Sequence, residues 1–508
     1  MTRTLPQVTR ENARKHPDST ATVFGDRTST WAELDAASSR IANALLHLQV
    51  DPGTRVAVLD KNSDRFFEIF FGAAKSGAVL VPLNWRLAPP EIKFMLADSE
   101  TRVLFVAKEF AGAIDQIRGD LPDLKEVVVM DHDEHKDDYA YWLQEFDAVD
   151  PARDADPVAD AVQLYTSGTT GRPKGALISH AYFFEAFRLL DEVPSRYWEC
   201  EPSDATLVTA PLFHIGGIFW AFLGAVQGCT LVATREFNPT QLFELLGHHT
   251  FRSLALVTPM LQMVLDTPGV EVADFSKVRN VVYGAAPIPP ALLRKAIDVI
   301  GCEFVQTYGM TESTMITLLD VDDHQLPPVP QMLSVGRPLP GVELTVLDRD
   351  GAPAKSGEVG EFAIKSPVLP SGYWRLPDAT AEAFRDGWFH TGDAGYVDEA
   401  GYVYLKDRVK DMIISGGENV YPAEVENAIY EHPSVKEVAV VGVPDERWGE
   451  VPKAFIVLQP GTALDEESLR AFTTERIARY KVPRYFAAVE ALPKTATGKV
   501  MRRALRVG

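Results

Sequence analysis

The first 150 residues alternate between helical and strand patterns of apolar residues. A capping box begins at Thr30, with Glu33 three positions on, and apolar residues then recur at helical spacing as far as Leu48. Residues 55–59 and 79–83 are short apolar runs, and residues 65–75 between them have the period of a helix. Strands that are apolar on both faces are typical of a sheet covered by helices. This region is therefore predicted to form a buried sheet between helices.

The strand pattern continues through the middle of the chain, where several predicted strands end directly in runs rich in Gly, Ser, Thr and Pro. These strands are predicted at residues 206–210, 230–233, 253–257, 280–283 and 303–306. In α/β sheets, ligands bind beyond the carboxyl ends of the strands. We therefore expect the runs that follow these strands to converge on one cleft.

The pattern changes after residue 330. Short strands with Gly and Pro turns, at 342–347 and 358–364, predict a small β-rich subdomain. Towards the end of the chain, two helices and two strands suffice for a small α+β domain. These four elements are predicted at residues 422–432, 438–443, 454–458 and 466–480.

The predicted fold class is therefore α/β with two domains. A large N-terminal domain of helix-covered sheets, which includes the β-rich subdomain, is expected at residues 1–409. A small α+β C-terminal domain is expected at residues 410–508. The boundary is placed in the charged stretch at residues 408–411.

Composition limits the partners of this chain. The 508 residues are 46% hydrophobic, enough for more than one core, and their formal net charge of −21 argues against nucleic acid or an anionic membrane as the main partner. Cys200, Cys229 and Cys302 form no CxxC motif and are expected to be free thiols. The chain has no signal-like or transmembrane-length apolar run, so we expect a cytoplasmic protein without stable membrane insertion.

A loop rich in hydroxyls and glycines follows the apolar run 161–164. Glycines allow successive backbone N–H groups to turn towards an anion, while hydroxyls add donors and a lysine adds positive charge. The loop thus predicts a phosphate site, although its spacing differs from the Walker loop because no Ser or Thr follows the lysine. The candidate residues are Thr166, Ser167, Gly168, Thr169, Thr170, Gly171 and Lys174.

Six further motifs accompany this loop, at residues 211–217, 284–287, 308–313, 390–393, 406–426 and 493–499. Together these motifs span nearly the whole chain. In their residues and their order they resemble those of the adenylate-forming superfamily, which comprises acyl- and aryl-CoA synthetases, peptide-synthetase adenylation domains and beetle luciferases. The resemblance implies an ATP-dependent enzyme that attaches a carboxylate to AMP, releases pyrophosphate and passes the acyl group to a thiol.

The resemblance also implies roles in binding ATP and Mg²⁺. Glu312 matches the magnesium-binding carboxylate, Thr311 would contact the α-phosphate, and Lys499 matches the catalytic lysine. Tyr308 should lie against adenine, and Asp393 and Arg408 match ribose contacts. The other expected AMP-site residues are Gly284, Ala285, Ala286, Pro287, Gly309 and Met310.

For the second half-reaction, the family's small domain is mobile and rotates about a hinge, which here is Lys410. The rotation would withdraw Lys499 and present Ser415, Gly416 and Gly417 as a tunnel for the pantetheine arm of CoA. A homodimer is expected only by analogy with the family.

His214 bears on the choice of acid. Superfamily members that activate α-amino acids carry an aspartate at the matching position, so His214 speaks against an amino acid, although an ordinary core histidine is the alternative. The expected pocket is apolar, with Gly216, Gly217 and Gly309 leaving room for a chain or ring. Its other candidate residues are Leu189, Ile215, Gly284, Thr307, Thr314 and Met315.

We therefore predict an ATP-dependent acid:CoA ligase for a hydrophobic monocarboxylic acid, with a medium- or long-chain fatty acid ahead of an aromatic acid. The first rival is an acyl-AMP ligase that loads a carrier protein in trans. The second is a non-catalytic adenylate-binding protein, which the joint presence of Lys174, Glu312, Asp393, Arg408 and Lys499 disfavours.

Overall fold

The computed structural model describes residues 3–130, 138–166, 173–286, 288–324, 330–408, 411–415, 418–445, 447–494 and 500–506. Fifteen α-helices lie in these residues: α1 (Leu5–Lys15), α2 (Trp31–His47), α3 (Arg65–Ser76), α4 (Pro89–Asp98), α5 (Lys108–Ile117), α6 (Asp138–Gln144), α7 (His180–Leu190), α8 (Ile215–Val226), α9 (Pro239–His248), α10 (Thr258–Asp266), α11 (Pro290–Ile300), α12 (Pro377–Ala383), α13 (Pro422–Tyr430), α14 (Glu466–Thr474) and α15 (Arg502–Arg506).

The same residues contain twenty-five strands: β1 (Thr20–Phe24), β2 (Arg27–Thr30), β3 (Arg55–Leu59), β4 (Val79–Pro82), β5 (Val103–Ala107), β6 (Glu126–Met130), β7 (Asp160–Thr166), β8 (Lys174–Ser179), β9 (Ala205–Val208), β10 (Thr230–Ala233), β11 (Ser253–Ala255), β12 (Asn280–Gly284), β13 (Glu303–Tyr308), β14 (Thr317–Leu319), β15 (Arg337–Pro338), β16 (Glu343–Leu347), β17 (Gly360–Lys365), β18 (Phe384–Arg385), β19 (Trp388–Val397), β20 (Val403–Arg408), β21 (Ile413–Ser415), β22 (Glu418–Val420), β23 (Val435–Asp445), β24 (Gly449–Leu458) and β25 (Tyr485–Ala488).

These strands form five sheets. The first has the order β6-β5-β3-β4-β7-β8 and is parallel except for the antiparallel pair β7–β8. The second is β2-β1-β10-β9, and the third is β11-β12-β13-β14-β15. The fourth, antiparallel sheet is β16-β17-β19-β18 with β20 paired to β19, as expected for a β-rich subdomain. The fifth is β22-β21-β24-β23 with β25 paired to β24.

The apolar cores follow the division into a large and a small domain. One cluster contains buried residues from each of the first four sheets, such as Val56, Leu231, Val305 and Phe362. The fifth sheet has separate clusters, one of them around Ile413. The predicted α/β fold, with a large N-terminal and a smaller C-terminal domain, is confirmed. The predicted boundary between residues 409 and 410 lies outside the described residues.

The local predictions agree closely with the elements. The capping box of α2 is present, because Glu33 N donates to Thr30 Oγ1 at 3.2 Å and Thr30 N donates to Glu33 Oε2 at 2.8 Å. The strand predicted at 253–257 is shorter than expected, because the chain enters α10 at Thr258. Among the described residues, no helix combines the length and apolar character needed to cross a bilayer.

One expectation needs correction. The helix predicted at 466–480 ends at Thr474, because the chain must turn back for β25 to pair with β24, and residues 479–481 form a 3₁₀ turn on the way.

Cys200 and Cys229 are free thiols, as expected, although they lie next to each other in the fold. Their Sγ atoms lie 2.6 Å apart.

Helix α3 carries a carboxylate with a shifted ionisation. Glu68 Oε2 accepts a hydrogen bond from the Tyr139 hydroxyl at 2.7 Å. Burial, with a smaller contribution from the negative charge of Asp64, raises the pKa of Glu68 to about 7. The folded protein therefore holds a proton on Glu68 at pH values where the unfolded chain has lost it.

Replacement of Glu68 should reveal this proton. Because the native state binds more protons between the unfolded pKa and about 7, this group lowers stability as pH rises through that window. Glu68→Gln should reduce the fall in thermal unfolding temperature between about pH 5 and about pH 8. The exposed Glu490 offers the control Glu490→Gln, which should leave that fall unchanged. An identical pH dependence in wild type and Glu68→Gln would contradict the assignment.

Candidate functional site

The predicted phosphate loop connects a β-hairpin. β7 and β8 pair antiparallel, with Thr166 opposite Lys174 next to the connecting loop, where Thr166 Oγ1 lies 3.5 Å from the Lys174 carbonyl oxygen. A Cβ atom at Gly175 would lie 2.6 Å from Gln163 Nε2, so a larger residue here would displace the Gln163 side chain. Thr166 and Lys174 thus stand at the two ends of the loop.

Two neighbouring strands end at the predicted nucleotide residues. The parallel strands β12 and β13 end at Gly284 and Tyr308, with Gly284 in register with Thr307. Tyr308 donates a hydrogen bond from its hydroxyl to Asp393 Oδ2 at 2.6 Å, and both side chains are buried. In the fourth sheet, Asp393 lies opposite Arg408 in the antiparallel register of β19 and β20. Tyr308 and Asp393 therefore join the strand ends of two sheets.

A tight turn follows Tyr308. Thr314 has a φ of 54°, in the left-handed region that costs a β-branched residue roughly 1–3 kcal/mol. Its Oγ1 donates to the Tyr182 hydroxyl at 2.5 Å, and that hydroxyl donates to the Thr311 carbonyl at 2.8 Å. Burial raises the pKa of Tyr182 well above its ordinary value, which keeps the phenol protonated. Tyr182 therefore holds both ends of the strained turn.

The AMP-site segment after β12 is also strained. Ala285 has a φ of 63°, and the Ala286 carbonyl accepts a hydrogen bond from Thr258 Oγ1 at 3.1 Å. Thr258 is the first residue of α10. Helix α10 therefore holds the segment after β12 through this hydrogen bond.

Glu312 lies in the turn after Tyr308 and is buried. Its Oε1 accepts a hydrogen bond from the Tyr373 hydroxyl at 2.8 Å, and the ring of Tyr373 lies 5.0 Å from Lys174 Nζ. Among the described residues, no group of three or more His, Cys, Asp or Glu side chains could hold a metal ion alone. Mg²⁺ commonly takes one or two protein carboxylates and completes its shell with phosphate and water oxygens. Glu312 beside the phosphate hairpin fits that requirement.

His214 caps the start of α8 and is neutral at physiological pH. Burial, with a smaller contribution from the positive charge of Arg86, lowers the pKa of His214 to about 4. Its buried Nε2 has no hydrogen-bond partner among the described residues. The preceding loop is held by Asn62, which donates to the Ala210 carbonyl at 3.0 Å and accepts from Leu212 N at 2.9 Å.

The apolar residues predicted for the acid pocket belong to the large core of the N-terminal domain. Leu189 and Ile215 are buried in the same apolar cluster as Tyr308, and Met310 and Met315 pack against that cluster. Met315 Sδ accepts a hydrogen bond from the Tyr197 hydroxyl at 3.3 Å. The residues predicted for the apolar wall of the acid pocket therefore share one core with Tyr308.

The expected role of two glycines is wrong. A Cβ atom at Gly309 would lie 2.0 Å from the Thr314 carbonyl oxygen, and one at Gly217 would lie 2.3 Å from the Pro211 carbonyl oxygen. These glycines allow backbone segments to pack closely and leave no room for an acid. Gly216 is exposed, and a Cβ atom there would meet open space.

Several predicted site residues lie outside the described residues. They are Ser167, Gly168, Thr169, Thr170, Gly171, Pro287, Lys410, Gly416, Gly417 and Lys499. The backbone of Arg408 is described but its side chain is not. Ser415, predicted for the CoA tunnel, is buried at the end of β21.

Comparison with known proteins identifies the family of this chain. The family model "AMP-binding enzyme" matches residues 9–374, and "AMP-binding enzyme C-terminal domain" matches residues 424–499. The chain belongs to this family of adenylate-forming enzymes.

Three relatives illustrate the range of the family. The fatty acid–[acyl-carrier-protein] ligase ScoC of Streptomyces coeruleorubidus is 41% identical over 99% of this chain and 96% of its own. The long-chain-fatty-acid–CoA ligase FadD13 of Mycobacterium tuberculosis is 37% identical over 94% of this chain and 92% of its own. The crystal structure of the anthranilate CoA ligase AuaEII with anthranoyl-AMP matches with a TM-score of 0.90 and 29% identity, covering 100% of this chain and 97% of its own.

Four contacts of the site were missed by sequence reasoning. Asn62, Tyr182, Thr258 and Tyr373 each hold a predicted segment by a hydrogen bond from another element. Tyr373 follows a glycine in a loop, and Asn62 follows a predicted strand, but neither local pattern indicates its partner. Of the four residues, only Tyr182 lies close to the phosphate loop in the sequence, which was a signal that it belongs to the site.

The surroundings of Gly309 and Gly216 predict different effects of alanine substitution on stability. Gly309→Ala should lower stability by roughly 1–3 kcal/mol, because the added methyl group collides with the Thr314 carbonyl oxygen. Gly216→Ala should change stability by less than about 0.5 kcal/mol, because the methyl group meets open space. Thermal unfolding of both variants would test this difference. Equal stabilities of the two variants would contradict the close packing at Gly309.

Proposed function

We propose that this adenylate-forming acid ligase activates a hydrophobic monocarboxylic acid, with a medium- or long-chain fatty acid as the preferred substrate, and transfers it to CoA. The observation that carries the proposal is a pair of side-chain contacts at the turn after β13: Tyr308 donates to Asp393, and Tyr373 contacts both Glu312 and Lys174. In a member of this family, that arrangement suits ATP beside an apolar pocket.

The chemistry requires two anions to meet, since the acid's carboxylate attacks the α-phosphorus of ATP. In the proposed mechanism, Thr166 and Lys174 hold the β- and γ-phosphates while Asp393 accepts hydrogen bonds from the ribose. Glu312 would hold Mg²⁺, which would neutralise charge on the phosphates. Lys499 would lie between the carboxylate and the α-phosphate during adenylation, where its positive charge offsets their repulsion as pyrophosphate leaves. Movement about Lys410 would then admit the thiol, whose sulfur bonds to the acyl carbonyl carbon as the bond to AMP breaks and AMP leaves.

The preference for an apolar acid rests on the wall formed by Leu189, Ile215 and Met315 and on the neutral state of His214. The names of ScoC and FadD13 refer to fatty acids, whereas that of AuaEII refers to anthranilate. An aromatic acid is therefore the alternative substrate class.

A carrier protein is the alternative acceptor. ScoC, at 41% identity over 99% of this chain, is named as a ligase for an acyl-carrier protein, so transfer to a phosphopantetheine arm on a protein is the specific rival to free CoA.

Release of AMP tests acid and acceptor together. We would supply ATP and Mg²⁺ with fatty, aromatic, dicarboxylic and amino acids, each alone, with CoA and with a phosphopantetheinylated carrier protein. We expect CoA-dependent AMP release with fatty acids. A response to aromatic acids would contradict the preferred acid, and transfer only to the carrier would contradict CoA as the acceptor. No AMP or pyrophosphate with any acid would contradict ligase activity.

Lys499→Ala should separate the two half-reactions. Loss of its charge should slow pyrophosphate–ATP exchange by about 100-fold or more, while thioester formation from supplied acyl-adenylate stays nearly unchanged. Lys494, in the same segment, pairs with Glu437 at 2.5 Å, so Lys494→Ala is a matched control that should keep both rates. Equal losses in the two steps for Lys499→Ala would refute its proposed role.

A further inference from the structure

Tyr373 contacts both sides of the proposed phosphate site. Its hydroxyl donates to Glu312 Oε1 at 2.8 Å, and its ring lies 5.0 Å from Lys174 Nζ. Glu312 follows β13 in the third sheet, whereas Lys174 begins β8 in the first. The side chain of Tyr373 therefore joins a candidate metal carboxylate to a candidate phosphate-binding lysine.

The backbone around Tyr373 is attached to the phosphate hairpin. The Leu177 N–H donates to the Gly372 carbonyl at 3.0 Å, and the Trp374 N–H donates to the Gly175 carbonyl at 2.8 Å. Gly372 has a φ of 147°, and a Cβ atom there would lie 2.9 Å from a methyl group of Thr380. These hydrogen bonds couple the position of Tyr373 to that of β8.

The side chain of Trp374 secures the same segment from the other side. Its indole N–H donates to the Asp98 carbonyl at 2.9 Å, and the Arg55 guanidinium stacks on its ring at 3.5 Å from the centroid. A cation over an indole face is a favourable contact. The segment that carries Tyr373 is therefore held by β8 on one side and by the contacts of Trp374 on the other. This attachment fixes the position from which the Tyr373 hydroxyl donates to Glu312.

We propose that Tyr373 is a positioning residue that orients Glu312 for the Mg²⁺ that arrives with ATP. The phenol holds Oε1, and the other carboxylate oxygen accepts no hydrogen bond from the described residues. A neutral donor fixes the orientation of the carboxylate and leaves its charge in place. A lysine or arginine in the same position would instead cancel that charge. This inference rests on the proposed function, because it assumes that the site binds ATP with Mg²⁺.

Two substitutions separate the contacts of Tyr373. Tyr373→Phe removes the hydroxyl and keeps the ring beside Lys174, whereas Tyr373→Leu removes both. Tyr139→Phe is a matched control, because Tyr139 also donates from its hydroxyl to a glutamate, Glu68, at 2.7 Å, in a part of the chain with no proposed role in binding. Thermal unfolding would establish that each variant is folded.

The test is ATP affinity by isothermal titration calorimetry, with excess Mg²⁺ and with EDTA, in the absence of an acid substrate. Tyr373→Phe should bind ATP about tenfold more weakly than wild type with Mg²⁺ and equally well with EDTA, because only the metal-dependent part of binding is lost. Tyr373→Leu should weaken binding in both conditions, since the ring beside Lys174 is also lost. Tyr139→Phe should match wild type in both.

Other outcomes would overturn the inference. Equal weakening of Tyr373→Phe in both conditions would mean that the hydroxyl supports the fold only, and unchanged affinity in both would mean that Glu312 needs no orientation. In either case wild-type binding of ATP with Mg²⁺ would leave the proposed function standing. If the wild-type protein binds no ATP, the inference and the proposed function both fail.

Discussion

Phenol hydroxyls donate hydrogen bonds to the two buried carboxylates of the candidate site. Tyr308 donates to Asp393 and Tyr373 donates to Glu312, each across the boundary between two sheets. A neutral phenol donates to a carboxylate without cancelling its negative charge, so neither hydrogen bond conflicts with the proposed roles of Asp393 at the ribose and Glu312 at Mg²⁺. Lys174 forms no ion pair among the described residues, which suits its proposed role at phosphate.

This arrangement matters because the protein carries a net charge of −21 while its proposed substrates are anions. Attraction must come from a few local charges at the site, since the overall field opposes it. Neutral hydroxyls and backbone groups can orient the charged side chains of the site without cancelling their charges. The close backbone contacts at Gly284 and Gly309, and the left-handed conformations of Ala285 and Thr314, serve the same purpose by holding the strand ends in one position.

The apolar wall and the nucleotide site share one core. Leu189, Ile215 and Tyr308 belong to a single buried cluster that extends through the first four sheets. His214 stands beside this wall as a neutral imidazole, because burial removes the stabilisation that water gives to its charged form. A neutral lining suits an acid whose only charge is the carboxylate that reacts.

Local sequence determined the elements and the motif residues, because helix caps, apolar strands and glycine-rich turns depend on neighbours in the chain. The capping box at Thr30, the strand Arg55–Leu59 and the strands that end near Gly284 and Tyr308 were all readable in this way. The tertiary structure alone decided which side chains hold them. Tyr182, Asn62 and Tyr373 act on partners 129, 150 and 61 residues away, and Gly309 packs against a carbonyl group rather than lining a pocket. Such contacts depend on how the sheets pack against one another, which no local pattern records.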